Sequence, residues 1–268
     1  MKSEVLNLYK RKSETPLQTI ERYVEAHPEY KGVKMTYAGR LDPMAEGVLV
    51  VLVGEANKDR EAYTGLDKDY EFEFILGVET DTFDVLGKIM AMKADAPAGA
   101  PAGATPSAEV AVKSALAKYL GTFEQRYPSF SSKVVDGTPL FELARRGDLS
   151  EKDIPTHKVT VSAIELVSTR TVAKDVFVEM IHKDISAVRG DFRQKDILSL
   201  WNKYLSGEAH GVPMPAAFVL YKARVSCGSG FYVRQLVSDL GHDLGTGAVT
   251  VSILRTRVGK YRLADSIQ

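Results

Sequence analysis

The sequence places an aspartate before a proline, in Gly39-Arg40-Leu41-Asp42-Pro43, just ahead of an uninterrupted apolar run. The proline biases Asp42 away from the helical region and holds it at a chain corner. The run Val48–Val53 behind it reads as a buried strand. A carboxylate lifted on such a turn can act as a nucleophile or a base. The same carboxylate could instead bond its own backbone in an Asx turn. Two other stretches carry suitable groups: Tyr70 opens a strand-like run, and Tyr232 stands two residues before Arg234. An arginine near a carboxylate stabilises its charge, and tyrosines offer ring faces for stacking. Each also has a plainer use, in an ion pair or in core packing. Between Arg126 and Lys158, the bases Arg126, Lys133, Arg145, Arg146, Lys152 and Lys158 are interleaved with acids.

These groups need a scaffold. Helical spacing and capping predict a helix from Pro106 through Val112, Leu116, Tyr119 and Leu120, closed by Gly121, and others at Pro16–Val24 and Gln235–Leu244. Strand-like runs are Val48–Val53, Tyr70–Leu76, Val159–Leu166, Val176–Ile181, Phe218–Cys227 and Val249–Leu254. Their irregular interleaving with helices predicts an α+β fold rather than a doubly wound sheet. Ala94–Ala108, nearly all Ala, Pro and Gly, reads as a surface loop.

The 268 residues suit one large domain or two small ones, and 44% hydrophobic with 26% charged residues is a globular mixture. The apolar runs are too short to span a bilayer and the charged N-terminus is no secretory signal, so neither membrane insertion nor export is expected. One cysteine, Cys227, fits a reducing cytosol, and five scattered histidines give no metal-ligand spacing. No cofactor is expected, Gly228-x-Gly230 being only a fragment of a nucleotide-binding loop. Net charge is zero but unevenly spread: Glu61–Asp84 holds eight acids and one base, and Tyr221 onward holds seven bases and three acids. That basic segment is a candidate phosphate-facing surface.

The stretch AGRLDPMAEGVLVVLVGEANK resembles the signature of the TruB family of tRNA pseudouridine synthases, matching at Gly39, Leu41, Asp42, Pro43, Ala45, Gly47, Val48, Leu49, Gly54, Glu55, Ala56 and Lys58. Lys68-Asp69-Tyr70 with Thr80-Asp81-Thr82-Phe83-Asp84, Tyr127–Lys133 with Leu140–Gly147, and Cys227–Arg234 with Asp239-Leu240-Gly241 resemble further family motifs in the family's order. The resemblance implies a pseudouridine synthase core: a mixed, largely antiparallel central sheet flanked by helices, with the active cleft across its middle. It implies that Asp42 is the catalytic aspartate that breaks and re-forms the glycosidic bond. Tyr70 would lie under the target uracil, with Tyr232 as a second aromatic, Ile253 as the apolar residue against the base, Arg234 paired with the aspartate and Lys58 near the RNA. The 126–158 segment would be an insertion closing over the RNA, with Lys133, Arg145 and Arg146 on phosphates. The implied activity is of the pseudouridine-55 synthase type, acting on the T-arm of tRNA in the cytoplasm without an obligatory protein partner.

Departures from the pattern bear on the substrate. Tyr37 stands where the family usually has a histidine that wedges beside the flipped base. Gly39-Arg40-Leu41-Asp42 is a form typical of ribosomal-RNA synthases. Lys10–Thr15 replaces the family's K-P-x-G-x-T-S, and Arg189–Pro215 has no family counterpart. The sequence ends soon after Gly259, so a single catalytic domain over 1–268 without a C-terminal PUA domain is expected. Two other functions stay open at this stage: a synthase for ribosomal or other structured RNA, and a non-catalytic RNA-binding or RNA-folding module on the same scaffold.

Overall fold

The computed structural model describes residues 3–92, 106–207 and 215–268. Most of the Ala94–Ala108 segment lies outside them. The chain begins with β1 (Ser3–Lys10), α1 (Pro16–Ala26), β2 (Met35–Ala38) and β3 (Ala45–Gly54), followed by α2 (Arg60–Thr64), β4 (Lys68–Leu76), β5 (Val78–Thr80) and β6 (Ile89–Met92). Next come α3 (Pro106–Ala117), β7 (Gly121–Arg126), β8 (Val134–Val135), β9 (Thr138–Pro139) and α4 (Leu140–Arg146). The last elements are β10 (Thr156–Ala173), α5 (Lys174–Ala187), α6 (Gln194–Leu205), β11 (Ala217–Cys227), α7 (Val233–Asp243), β12 (Ala248–Val258) and β13 (Tyr261–Arg262).

Among the described residues, nine strands form one sheet in the order β1-β3-β12-β4-β11-β10-β7, with β2 on β3 and β13 on β12. Among the strand pairs of this sheet in the described residues, only β3–β12 is parallel. The fold is the expected α+β arrangement of a mixed, largely antiparallel sheet with helices on its faces. Strand β3 explains itself, since Val48–Val53 is fully buried on both sides. Strand β4 alternates: Tyr70, Phe72, Phe74 and Leu76 pack with Leu236, Val237 and Leu240 of α7 and Leu116 of α3 on one face. Ile75 packs on the other face with Phe177, Ile181 and Ile185 of α5 and Ile197 and Trp201 of α6.

One predicted strand is a helix. Val176–Ile181 lies inside α5, because Phe177, Ile181 and Ile185 recur every four residues and are all buried. The run Val-Phe-Val-Glu-Met-Ile reads as a strand on its apolar and β-branched content alone, and the continuation to Ile185 reveals the helical period. At Leu120 the expectation also runs long: α3 ends at Ala117, and Gly121 opens β7 rather than closing the helix.

The segregated charge has a structural explanation that reduces the expected basic surface. Strand β4, carrying much of the acidic run, lies between β11 and β12, which carry C-terminal bases. Glu71 pairs with Lys222 at 2.7 Å and Arg224 at 3.2 Å, and Asp69 pairs with Arg257 at 2.6 Å. Arg234 and Arg255 are buried. Five of the seven C-terminal bases are therefore buried or paired with acids, and Lys260 and Arg262 remain exposed.

Candidate active site

The sheet forks where Asp42 sits. The first residues of β3 pair with β12, Ala45 opposite Ile253 and Gly47 opposite Arg255. Farther along, Val50–Val53 pair with β2 instead. Residues 39–44 cross from the end of β2 to the start of β3 at this divergence. Gly47 makes the close approach possible: its φ is +106°, and a Cβ there would meet the Arg255 carbonyl oxygen at 2.3 Å.

Two buried cations hold the loop by its backbone. Arg255, fully buried, donates from Nε to Val48 O at 2.8 Å and from its Nη atoms to Arg40 O at 3.3 Å and Gly39 O at 3.1 Å. Lys10, also fully buried, donates to Pro43 O at 3.3 Å and Ala45 O at 2.5 Å. Burial draws the Lys10 ammonium down to about 7. Ser13 N adds a 2.8 Å bond to Pro43 O. Sequence reasoning missed both cations as site residues. Their signal was a charge within a strand pattern that otherwise buries apolar groups.

The loop directs Asp42 toward the start of α7. Its Oδ2 accepts from Arg234 Nε at 2.8 Å, with the aspartate side chain 32% exposed and the arginine 3%. Arg234 also donates to the carbonyls of Thr82 and Phe130, and lies 3.7 Å from Asp84. Burial pushes the Asp84 carboxyl up to about 6, against the opposing pull of Arg234 and the Thr82 hydroxyl. Burial disfavours the charged form of Arg234, but Asp42 and Asp84 outweigh it and the net shift is upward. Asp84 is a second site residue whose role the sequence did not reveal, although its motif was noted.

Above this pair opens a cavity of about 700 Å³, lined among others by Tyr37, Asp42, Tyr70, Tyr232, Arg234 and Ile253. That volume accommodates a nucleotide-sized ligand. Burial raises both Tyr70 and Tyr232 to about 12, the Asp42 charge adding to the effect on Tyr232. The backbone of Tyr232 is clamped by one buried amide: Gln125 Oε1 accepts from Tyr232 N at 2.8 Å, and Gln125 Nε2 donates to Tyr232 O at 3.0 Å. Tyr127 meets the Tyr232 ring edge-on at 5.7 Å. Thus the structure gathers six of the sequence-selected residues in one place. Arg145 also lines the cavity, whereas Lys58 does not, its side chain being 78% exposed and paired with Glu55. Lys133 lies over the Tyr127 ring at 5.3 Å, and Arg146 pairs with Glu142 at 3.3 Å. No cluster of metal ligands occurs among the described residues.

The fold is shared with chains of solved complexes. A Cbf5–Nop10–Gar1 complex contains a chain that superposes with a TM-score of 0.54 at 17% identity, covering 96% of this chain and 49% of that one. A chain of an H/ACA RNP bound to a substrate RNA containing 2′-deoxyuridine gives 0.51 at 17% identity, covering 96% and 48%. This chain spans about half the length of those chains. The family model for TruB family pseudouridylate synthases (N terminal domain) matches residues 27–184. A tRNA pseudouridine synthase B of Bordetella pertussis is 30% identical over 94% of this chain and 78% of its own length, and one of Opitutus terrae is 28% identical over 87% and 73%. The chain belongs to the TruB family of pseudouridylate synthases.

Proposed function

We propose that this protein isomerises a uridine in the T-loop of tRNA, the position conventionally numbered 55, to pseudouridine. The observation carrying the reading is the Asp42–Arg234 ion pair at the floor of a cavity walled by Tyr37, Tyr70, Tyr232 and Ile253. A uracil within folded RNA is reachable only when flipped from its stack, and a flipped base is held by ring faces and apolar walls. Asp42 then acts on the nucleoside. The bond between C1′ of the ribose and N1 of the uracil breaks, the ring turns, C1′ joins C5, the C5 proton leaves and N1 takes up a proton, so the product is an isomer of the uridine. Arg234 fixes the carboxylate, and Tyr70 and Ile253 bracket the ring. Tyr37 wedges beside the vacated position in the RNA. The 126–158 segment, with Lys133, Arg145 and Arg146, closes on the T-arm, and Lys58 meets the backbone farther out. Tritium release from tRNA labelled at C5 of uridine, with mapping of the modified position, tests the reading. A product at a ribosomal-RNA position and none in tRNA would replace the substrate while keeping the chemistry.

Binding to the T-arm should weaken with salt despite the zero net charge, since phosphate contacts release counterions. Lys260 and Arg262 apart, the C-terminal bases are buried or paired with acids, so most of the sensitivity should reside in the 126–158 segment. Replacing Lys133, Arg145 and Arg146 together by Ala should reduce the slope of log K against log salt by about 2, leaving turnover at saturating RNA within about threefold of the parent. An unchanged slope would move the phosphate contacts elsewhere.

Acid should also impair turnover. Protonating Asp84 removes one of the two carboxylates that balance Arg234, so kcat should fall as pH drops through about 6. Stability moves the other way. Because the folded-state value stands above the ordinary 3.8, this group's contribution to folding is fully present below that value and is lost as pH rises through about 6. A kcat–pH profile should therefore lose its limb near 6 in Asp84→Asn, and thermal denaturation across the same range supplies the second readout.

A further inference from the structure

Strands β10 and β11 pair in register as far as Ala173 opposite Ala217, where a short turn would join them. Instead, residues 174–216 intervene, with α5 and α6 as a helical hairpin. Its root is fixed in the core: Phe177, Ile181, Ile185, Ile197 and Trp201 are buried, and Trp201 Nε1 donates to Val85 O at 3.1 Å. Between the helices the chain passes the cavity, and Arg193 lines it.

The surroundings of Arg193 are built from the two segments that hold Arg234. Its Nη1 donates to Asp81 Oδ2 at 2.6 Å and its Nη2 to Asp81 Oδ1 at 3.2 Å, a two-pronged bond immediately before Thr82. Its guanidinium lies over the Phe130 ring, 4.4 Å from the centroid. The Thr82 and Phe130 carbonyls are the oxygens that accept from Arg234 Nη1 and Nη2. Arg193 adopts a left-handed backbone, φ 63° and ψ 25°, a conformation that persists in non-glycine residues where surrounding contacts hold it. The same hairpin reaches the other member of the ion pair: Ser13 Oγ donates to Asp184 O at 2.9 Å, and Ser13 N holds Pro43 O beside Asp42.

We propose that Arg193 is a positioning residue for the isomerisation, tying Asp81 and Phe130 together so that the Thr82 and Phe130 carbonyls hold the Arg234 guanidinium against Asp42. The proposal rests on the function proposed above. A planar fork bonded to one carboxylate and stacked on one ring restrains both segments at once, as a flexible ammonium could not. With its charge already matched by Asp81, Arg193 has little left to offer a phosphate, so its effect belongs on kcat.

Steady-state kinetics on a tRNA transcript for the parent, Arg193→Gln, Arg193→Lys and Asp81→Asn test it. Each variant should lose about tenfold or more in kcat while KM stays within about threefold. Arg193→Gln combined with Asp81→Asn should be no worse than either alone, because both break one tie. Asp81→Asn keeps the Arg193 side chain, and so covers the case in which the Arg193 variants fail to fold. Retained kcat in folded variants, or a rise in KM with kcat unchanged, would overturn the proposal by making Arg193 idle or an RNA contact. A parent protein that turns over neither tRNA nor ribosomal RNA would instead sink the functional reading itself, and the proposal with it.

Discussion

Asp42→Asn should abolish isomerisation, lowering turnover at least about a thousandfold, ~4 kcal/mol of transition-state stabilisation. The amide has the shape of the carboxylate and keeps an oxygen to accept from Arg234 Nε, so the local geometry survives. The loop is held by its backbone, through Arg255 on Gly39, Arg40 and Val48 and through Lys10 on Pro43 and Ala45, and none of these bonds uses the Asp42 side chain. Only the charge is lost, and with it the ability to act on the nucleoside. RNA affinity should change less than about tenfold, ~1.4 kcal/mol, because docking depends on contacts outside the cavity floor. Tritium release measures the first quantity and filter binding the second. Appreciable turnover by the Asn variant would remove Asp42 from the chemistry, and a large loss of affinity would make it a binding group.

The strand pattern was legible wherever one residue type filled one face. The Val48–Val53 run specifies a strand buried on both faces, and the alternation from Tyr70 to Leu76 specifies one with a polar side. The Asp42 turn was legible because proline restricts its neighbour and because a long ordered motif surrounds it. What remained hidden depends on contacts distant in sequence. Arg255 looked like one base among many in a basic tail, and only the parallel pairing of β12 with β3 shows it reaching back to Gly39 and Arg40. Gln125 carries no chemical signal in the sequence, yet it clamps Tyr232 from a distant strand. The charge segregation misled for a related reason. Acids on β4 and bases on β11 and β12 are separate in sequence and adjacent in the sheet, so they neutralise each other. The 189–215 stretch gave no motif to read, and the place of Asp191, Phe192 and Arg193 beside the cavity follows from the packing of α5 and α6, which flank them in the chain.

Arg234→Lys should lower kcat at least about a hundredfold, ~2.7 kcal/mol, with RNA binding largely kept. The parent side chain spreads its donors over Asp42, Thr82 O and Phe130 O in one plane. A single ammonium nitrogen cannot occupy all those donor positions, so the carboxylate loses its fixed direction, and reaction rates fall steeply with such misplacement. Arg234→Met goes further and tests the electrostatics. It leaves Asp84, 5% exposed, in a site from which the compensating cation has gone. Breaking a buried pair from one side costs about 3–5 kcal/mol. The penalty must depend on pH. Arg234 lowers the Asp84 value that burial raises, so deleting the cation lets that value climb beyond about 6. Asp84 is then readily protonated in acid, where the neutral carboxylic acid needs no cation, whereas in base the folded state must hold an unpaired buried charge. Thermal denaturation should therefore show Arg234→Met much less stable than the parent at pH about 8 and closer to it at pH about 5. Equal penalties at the two pH values would mean that Asp84 does not depend on Arg234 for its charge, and that the arginine acts on Asp42 and the two carbonyls alone.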